Sequence, residues 1–161
     1  MFSISNTDLF LIADCFPLLE ELDLSNPTKL NLVDRNRNFL QGVEALSLAL
    51  SKLRKINLSH HHYMNNRLLF HLFNNCKFLQ EAIVFNCDHI TIDGIARAIC
   101  QRPTLTSLSV PRSFEQSRNR VIVRSITPHF ITSLVSLKGL TSLDLTSLNI
   151  SDELLSSIAM E

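Results

Sequence analysis

Five times along the chain, apolar residues recur with the same local rhythm. The segments are Leu19-x-x-Leu22-x-Leu24, Leu53-x-x-Ile56-x-Leu58, Leu79-x-x-Ala82-x-Val84, Leu105-x-x-Leu108-x-Val110 and Leu140-x-x-Leu143-x-Leu145. The alternation at the end of each segment predicts a short strand with one buried face. A polar stretch follows, and then apolar residues at helical spacing. Leu68, Leu69, Leu72 and Phe73 form one such stripe, and Ile92, Ile95, Ala96 and Ile99 form another. Asp8 to Phe16 reads as the closing helix of an earlier unit. Ser151-Asp152-Glu153 ahead of Leu154, Leu155 and Ile158 predicts a helix start with acid in its first turn.

The first leucines fall at 19, 53, 79, 105 and 140, so the intervals are 34, 26, 26 and 35 residues. The equal intervals set a period of 26, and the outer two are one period plus an insertion of 8 or 9 residues. This period lies in the leucine-rich-repeat range. Heptads are absent, which excludes a coiled coil. The expected fold is α/β: a leucine-rich-repeat solenoid, a curved right-handed horseshoe with parallel strands on the concave face and helices on the convex face. Residues 1–161 are expected to form a single domain of about five repeats, with strands near 20–25, 54–59, 80–85, 106–110 and 141–146. Neither end carries a clear polar cap. The helix at 8–16 makes the chain read as starting inside an array, and the uncapped ends predict marginal stability or an exposed apolar end.

Composition narrows the function classes. Leucine accounts for 28 of the 161 residues, and 15 basic residues balance 15 acidic ones. A neutral chain has no global field to draw it onto nucleic acid or anionic lipid. Gly42, Gly94 and Gly139 lie too far apart for a dinucleotide or phosphate loop. No GxSxG elbow occurs, and no Ser/His/Asp or Cys/His constellation is identifiable, so the chain is expected not to be an enzyme. No apolar run approaches 18 residues. Cys15, Cys76, Cys87 and Cys100 are far apart, which fits reduced thiols in a cytoplasmic or nuclear protein. His60-His61-His62 offers at most two side chains on one face if the run is a strand, too few for zinc. No cofactor or metal is expected.

The third repeat carries a further signal. Cys87-Asp88-His89-Ile90-Thr91-Ile92-Asp93-Gly94-Ile95 resembles the C-x-x-I-T-D-x-G-L signature of cysteine-containing leucine-rich repeats, typical of plant-type F-box/leucine-rich-repeat proteins. Cys76-Lys77-Phe78-Leu79 resembles the C-P-x-L that opens the next strand, and His61 takes the signature cysteine's place in the second repeat. The resemblance implies the substrate-recognition part of a Skp–cullin–F-box ubiquitin ligase, acting in ubiquitin-dependent protein catabolism. No F-box is legible, so a Skp-type adaptor would dock only if one is supplied elsewhere. The alternatives are the repeat half of an intracellular immune receptor, or a truncated, non-functional array.

Stacking the repeats places four columns outward, and nearly all their residues are polar. The exceptions are Ile83 and Phe85 on the third strand, joined by Pro111. An apolar centre in a polar rim is the anatomy of a binding hot spot. Ile83, Phe85, Lys55, His60, Asn86 and Arg112 are therefore the candidate partner-binding residues for a protein on the concave face. The competing reading covers Phe85 with the insertion after Val110. That insertion, 112–124, has Arg112, Arg118, Arg120 and Arg124 against Glu115.

Overall fold

The structure is a computed structural model that describes residues 5–25, 39–61, 64–87, 89–110 and 126–146, with 148 and 156. Among the described residues helices and strands alternate: α1 (Asn6–Cys15), β1 (Glu21–Asp23), α2 (Phe39–Ala49), β2 (Lys55–Asn57), α3 (Asn66–Asn75), β3 (Glu81–Ile83), α4 (Ile92–Ile99), β4 (Ser107–Ser109), α5 (Pro128–Val135) and β5 (Ser142–Asp144). The five strands form one parallel sheet in chain order. Each helix packs on the next: α1 on α2, α2 on α3, α3 on α4 and α4 on α5. This is the leucine-rich-repeat solenoid expected from the period. Parallel neighbours require a crossover connection, and each repeat supplies it with its helix.

Each strand is the x-apolar-x tripeptide at the centre of its segment. The register is unshifted across the sheet: Leu22 pairs with Ile56, Ile56 with Ala82, Ala82 with Leu108 and Leu108 with Leu143. Backbone pairing runs past the strands at both ends. The Leu24 N–H donates to Asn57 O, Leu58 to Ile83 O, Val84 to Ser109 O and Val110 to Asp144 O. At the other end Arg54 donates to Glu20 O, Gln80 to Arg54 O, Thr106 to Gln80 O and Thr141 to Thr106 O.

The core lies between the sheet and the helices. Ile56, Ala82 and Leu108 are buried, and so are both helical stripes read from the sequence. A leucine as deeply buried as Leu53, Leu79 or Leu105 contributes about 1.5–3 kcal/mol. The sheet ends are less covered: Leu22 is half-buried and Leu143 is 38% exposed. Leu11, Phe16 and Leu18, on α1 and the turn after it, are exposed as well. The helix start expected at Ser151-Asp152-Glu153 lies outside the described residues, as do the insertions at 26–38 and 112–124.

Helix starts are fixed by caps. Ser5 and Asp8 form a capping box on α1. Asn65, Thr91 and Thr127 each accept the third backbone N–H of their helix, and Pro128 occupies the first turn of α5. The caps are also joined across repeats. Asn66 Oδ1 accepts from the Thr91 N–H at 2.8 Å, Asn66 Nδ2 donates to Thr91 Oγ1 at 3.0 Å, and Thr127 Oγ1 donates to Asp93 Oδ1 at 2.7 Å. Gly94 is what admits the Asn66 side chain: a Cβ at Gly94 would collide with it.

Gly94→Ala must therefore displace Asn66 and break both bonds to Thr91. The expected loss is about 1–3 kcal/mol in urea unfolding, despite alanine's better helix propensity. Gly139→Ala, with nothing within 4 Å of the new carbon, should stay within about 0.5 kcal/mol.

Candidate functional site

The outward strand positions line up as the register demands. One row reads Glu21, Lys55, Glu81, Ser107, Ser142, and the next reads Asp23, Asn57, Ile83, Ser109, Asp144. The polar members satisfy one another. Lys55 Nζ sits 3.2 Å from Glu81 Oε2, Asn57 Nδ2 donates to Asp23 Oδ2 at 3.1 Å, and Ser109 Oγ donates to Asp144 Oδ2 at 3.1 Å.

The same side chains shape the turn that leaves each strand. Asp23 Oδ1 accepts from the Ser25 N–H at 2.7 Å. Asn57 Oδ1 accepts from both the Ser59 N–H at 3.1 Å and the Ser59 hydroxyl at 2.6 Å. Asp144 Oδ1 accepts from the Thr146 N–H at 3.0 Å and from its hydroxyl at 2.5 Å. These are local side-chain turns of the Asx type. The bonds from Ser25, with a smaller one from Asn57, hold the Asp23 carboxyl below its usual range. Those from Thr146, and then Ser109, do the same for Asp144. Asp23-Leu24-Ser25, Asn57-Leu58-Ser59 and Asp144-Leu145-Thr146 share one pattern. In the sequence this recurrence shows only as polar columns.

The third repeat breaks the pattern with Ile83 and Phe85, both half-buried and both outside the core cluster. Phe85 meets His60 edge-on, with ring centroids 4.7 Å apart. Asn86 Nδ2 approaches His60 Nδ1 at 3.4 Å. His60 and Asn86 are equivalent positions, and both are left-handed, with φ of 65° and 56°. Histidine and asparagine are among the residues that tolerate this region best. Ile83, Phe85, His60 and Asn86 thus lie together on β3 and the turns after β2 and β3. Lys55 is on the same face at the start of β2, engaged with Glu81. Arg112 and Pro111 lie outside the described residues.

Two sequence-based expectations need correction. The strand ends at Asn57, so His60-His61-His62 does not alternate as a strand. His61 turns inward and is 5% exposed, while His62 is outside the described residues. Ser59 belongs to one of the four columns that stacking the repeats places outward, yet it is 6% exposed, its hydroxyl folding back onto Asn57. Among the described residues, no three or more His, Cys, Asp or Glu side chains are placed to hold a metal. No described helix is long and apolar enough to cross a membrane.

The buried polar groups serve the stacking. Cys87 Sγ donates to Leu58 O at 3.1 Å, and His61 Nε2 bonds Leu24 O, the equivalent carbonyl one repeat earlier. Cys76 is fully buried beside Ser47 O, and burial pushes its thiol up to about 12. Sequence reasoning missed Arg102. It is 7% exposed and fills the slot that Leu50, Cys76 and Leu137 fill in other repeats. Its guanidinium donates to Phe73 O, to Asn74 O at 3.0 Å and to Lys77 O at 3.3 Å, closing the C-terminal end of α3.

No protein-family model and no curated protein matches this chain. Solved structures do. The tropomodulin C-terminal domain of Caenorhabditis elegans aligns over 98% of this chain and 90% of its own, with a TM-score of 0.62 and 12% identity. The actin-binding site 2 domain of leiomodin-1 aligns over 98% and 87%, with a TM-score of 0.64 and 18% identity. At these identities the likeness establishes the fold. It also overturns the plant-type F-box reading. The neighbours are tropomodulin and leiomodin domains, so neither the ubiquitin-ligase role, nor the Skp-type adaptor and its substrate, nor the immune-receptor alternative is supported. The physical reason lies in Cys87 and His61. The signature cysteine bonds the carbonyl beyond the preceding strand, and His61 bonds the equivalent carbonyl one repeat earlier, so the motif marks a packing contact between repeats.

Two outcomes follow. Arg102→Leu keeps an apolar filler but strips the end of α3, so urea unfolding should show a loss of about 1–3 kcal/mol. Asp23 and Asp144 have carboxyls depressed in the folded state. Their contribution is complete above the ordinary carboxylate value of 3.8 and is lost as pH falls through the lower folded values. Asp23→Asn with Asp144→Asn should flatten the stability–pH curve below about pH 4 in acid titration.

Proposed function

We propose that this chain is a protein-recognition module whose partner is actin, acting through its concave face and without chemistry of its own. The observation that carries the reading is the likeness, over 98% of the chain, to a leiomodin-1 domain described as an actin-binding site. The concave face supports it. Its polar side chains are bonded to one another, and its centre presents Ile83 and Phe85. In this reading residues 1–161 act as one domain of about five repeats. Ile83 and Phe85 are the anchors, and Lys55, His60 and Asn86 form their rim; Arg112, the sixth candidate, lies outside the described residues. An actin partner places the chain in the cytoplasm or nucleus.

The test uses the full chain in two assays, co-sedimentation with actin filaments and anisotropy with labelled actin monomers. Association with either form is expected. Ile83→Asp with Phe85→Asp should weaken it by about thirtyfold or more while leaving the circular dichroism spectrum unchanged. Absence of association with both forms overturns the reading.

A further inference from the structure

The face that carries Ile83 is not electrically neutral, although the chain is. Ten strand positions point away from the core. Four are carboxylates (Glu21, Asp23, Glu81 and Asp144) and one is a cation (Lys55), which leaves a net charge of −3. Ile83 is the single apolar side chain among the ten. It shares one register row with Asp23 two strands to one side and Asp144 two strands to the other. At about 4.8 Å between strands, each carboxylate stands about 10 Å from Ile83.

The charge at the two ends goes beyond what the turns require. Asn57 builds the same turn with an amide oxygen, so the turn needs an acceptor and not an anion. Asp23 and Asp144 both stay ionised through neutral pH, their carboxyls being held below the usual range. An apolar anchor midway between two fixed negative charges specifies a complementary ligand.

We propose that this row docks an extended segment of a protein partner, lying across the strands, with an apolar side chain over Ile83 and a basic side chain toward each of Asp23 and Asp144. Polyproline II backbone fits the spacing. It repeats every three residues at about 3.1 Å each, so one turn spans about 9 Å and the contacting residues stand three apart. The proposal rests on the recognition role given to this face above, and not on the partner being actin.

The test is a titration of the isotope-labelled full chain with the peptide Arg-Pro-Pro-Leu-Pro-Pro-Arg, followed by amide chemical shifts. Shifts are expected at Asp23, Asn57, Ile83, Ser109 and Asp144, weakening as salt rises from 50 to 200 mM. Asp23→Asn with Asp144→Asn keeps both turn acceptors and should reduce affinity about fivefold. Ile83→Ser should reduce it further. Exchanging both peptide arginines for glutamate should abolish the shifts. Unmoved strand amides, or equal shifts with the glutamate peptide, or affinity unchanged in the asparagine variant, would each overturn the proposal. If actin associates and the peptide does not, the docking row falls and the actin reading stands. If the peptide binds with this charge dependence and actin does not associate, the docking row stands and the actin reading falls.

Discussion

Everything in this molecule depends on sideways pairing between units that cannot fold alone. A three-residue strand and an eight- to eleven-residue helix bury almost nothing by themselves. Stacked in unshifted register, each strand gains backbone partners from its neighbours, and each apolar stripe gains a wall. The exposures follow from this. Ile56, Ala82 and Leu108 sit between neighbours and are buried, whereas Leu143 belongs to the last described strand and is 38% exposed.

The apolar core is not the whole of the stacking. Polar groups that would be costly if left unpaired in the interior are satisfied by the adjacent repeat. Cys87 and His61 each reach a carbonyl beyond the preceding strand, Arg102 reaches the end of the preceding helix, and Asn66 meets Thr91 of the following cap. These contacts join repeat to repeat along the stack.

Much of this was legible. The period fixed which residues become strands, and the two helical stripes were read residue by residue, because apolar periodicity is set by geometry that every repeat shares. The outward rows followed from the same register. What escaped was local or long-range. The turns after the strands look like strand continuations in the sequence, because Ser59 and His60 are polar residues that read as exposed until Asn57 captures one and a left-handed φ turns the other. Arg102 was invisible because a buried guanidinium is recognised only by the carbonyls it meets, and these belong to residues 25 to 29 positions away. The functional expectation failed for a related reason. Cys87 and His61 serve the packing of one repeat on the next, and such a contact does not report a partner.

Arg102 has a consequence for modularity. Repeat arrays are often treated as interchangeable bricks, whose order can be shuffled or whose number can change. A leucine in that slot accepts any apolar neighbour. A guanidinium accepts only a helix end that presents free carbonyls in the right place, as α3 does through Phe73 and Asn74. The joint between the helices of the second and third repeats is therefore keyed. Duplication, deletion or exchange of units is tolerated least at this seam, where a misfit strands a buried charge.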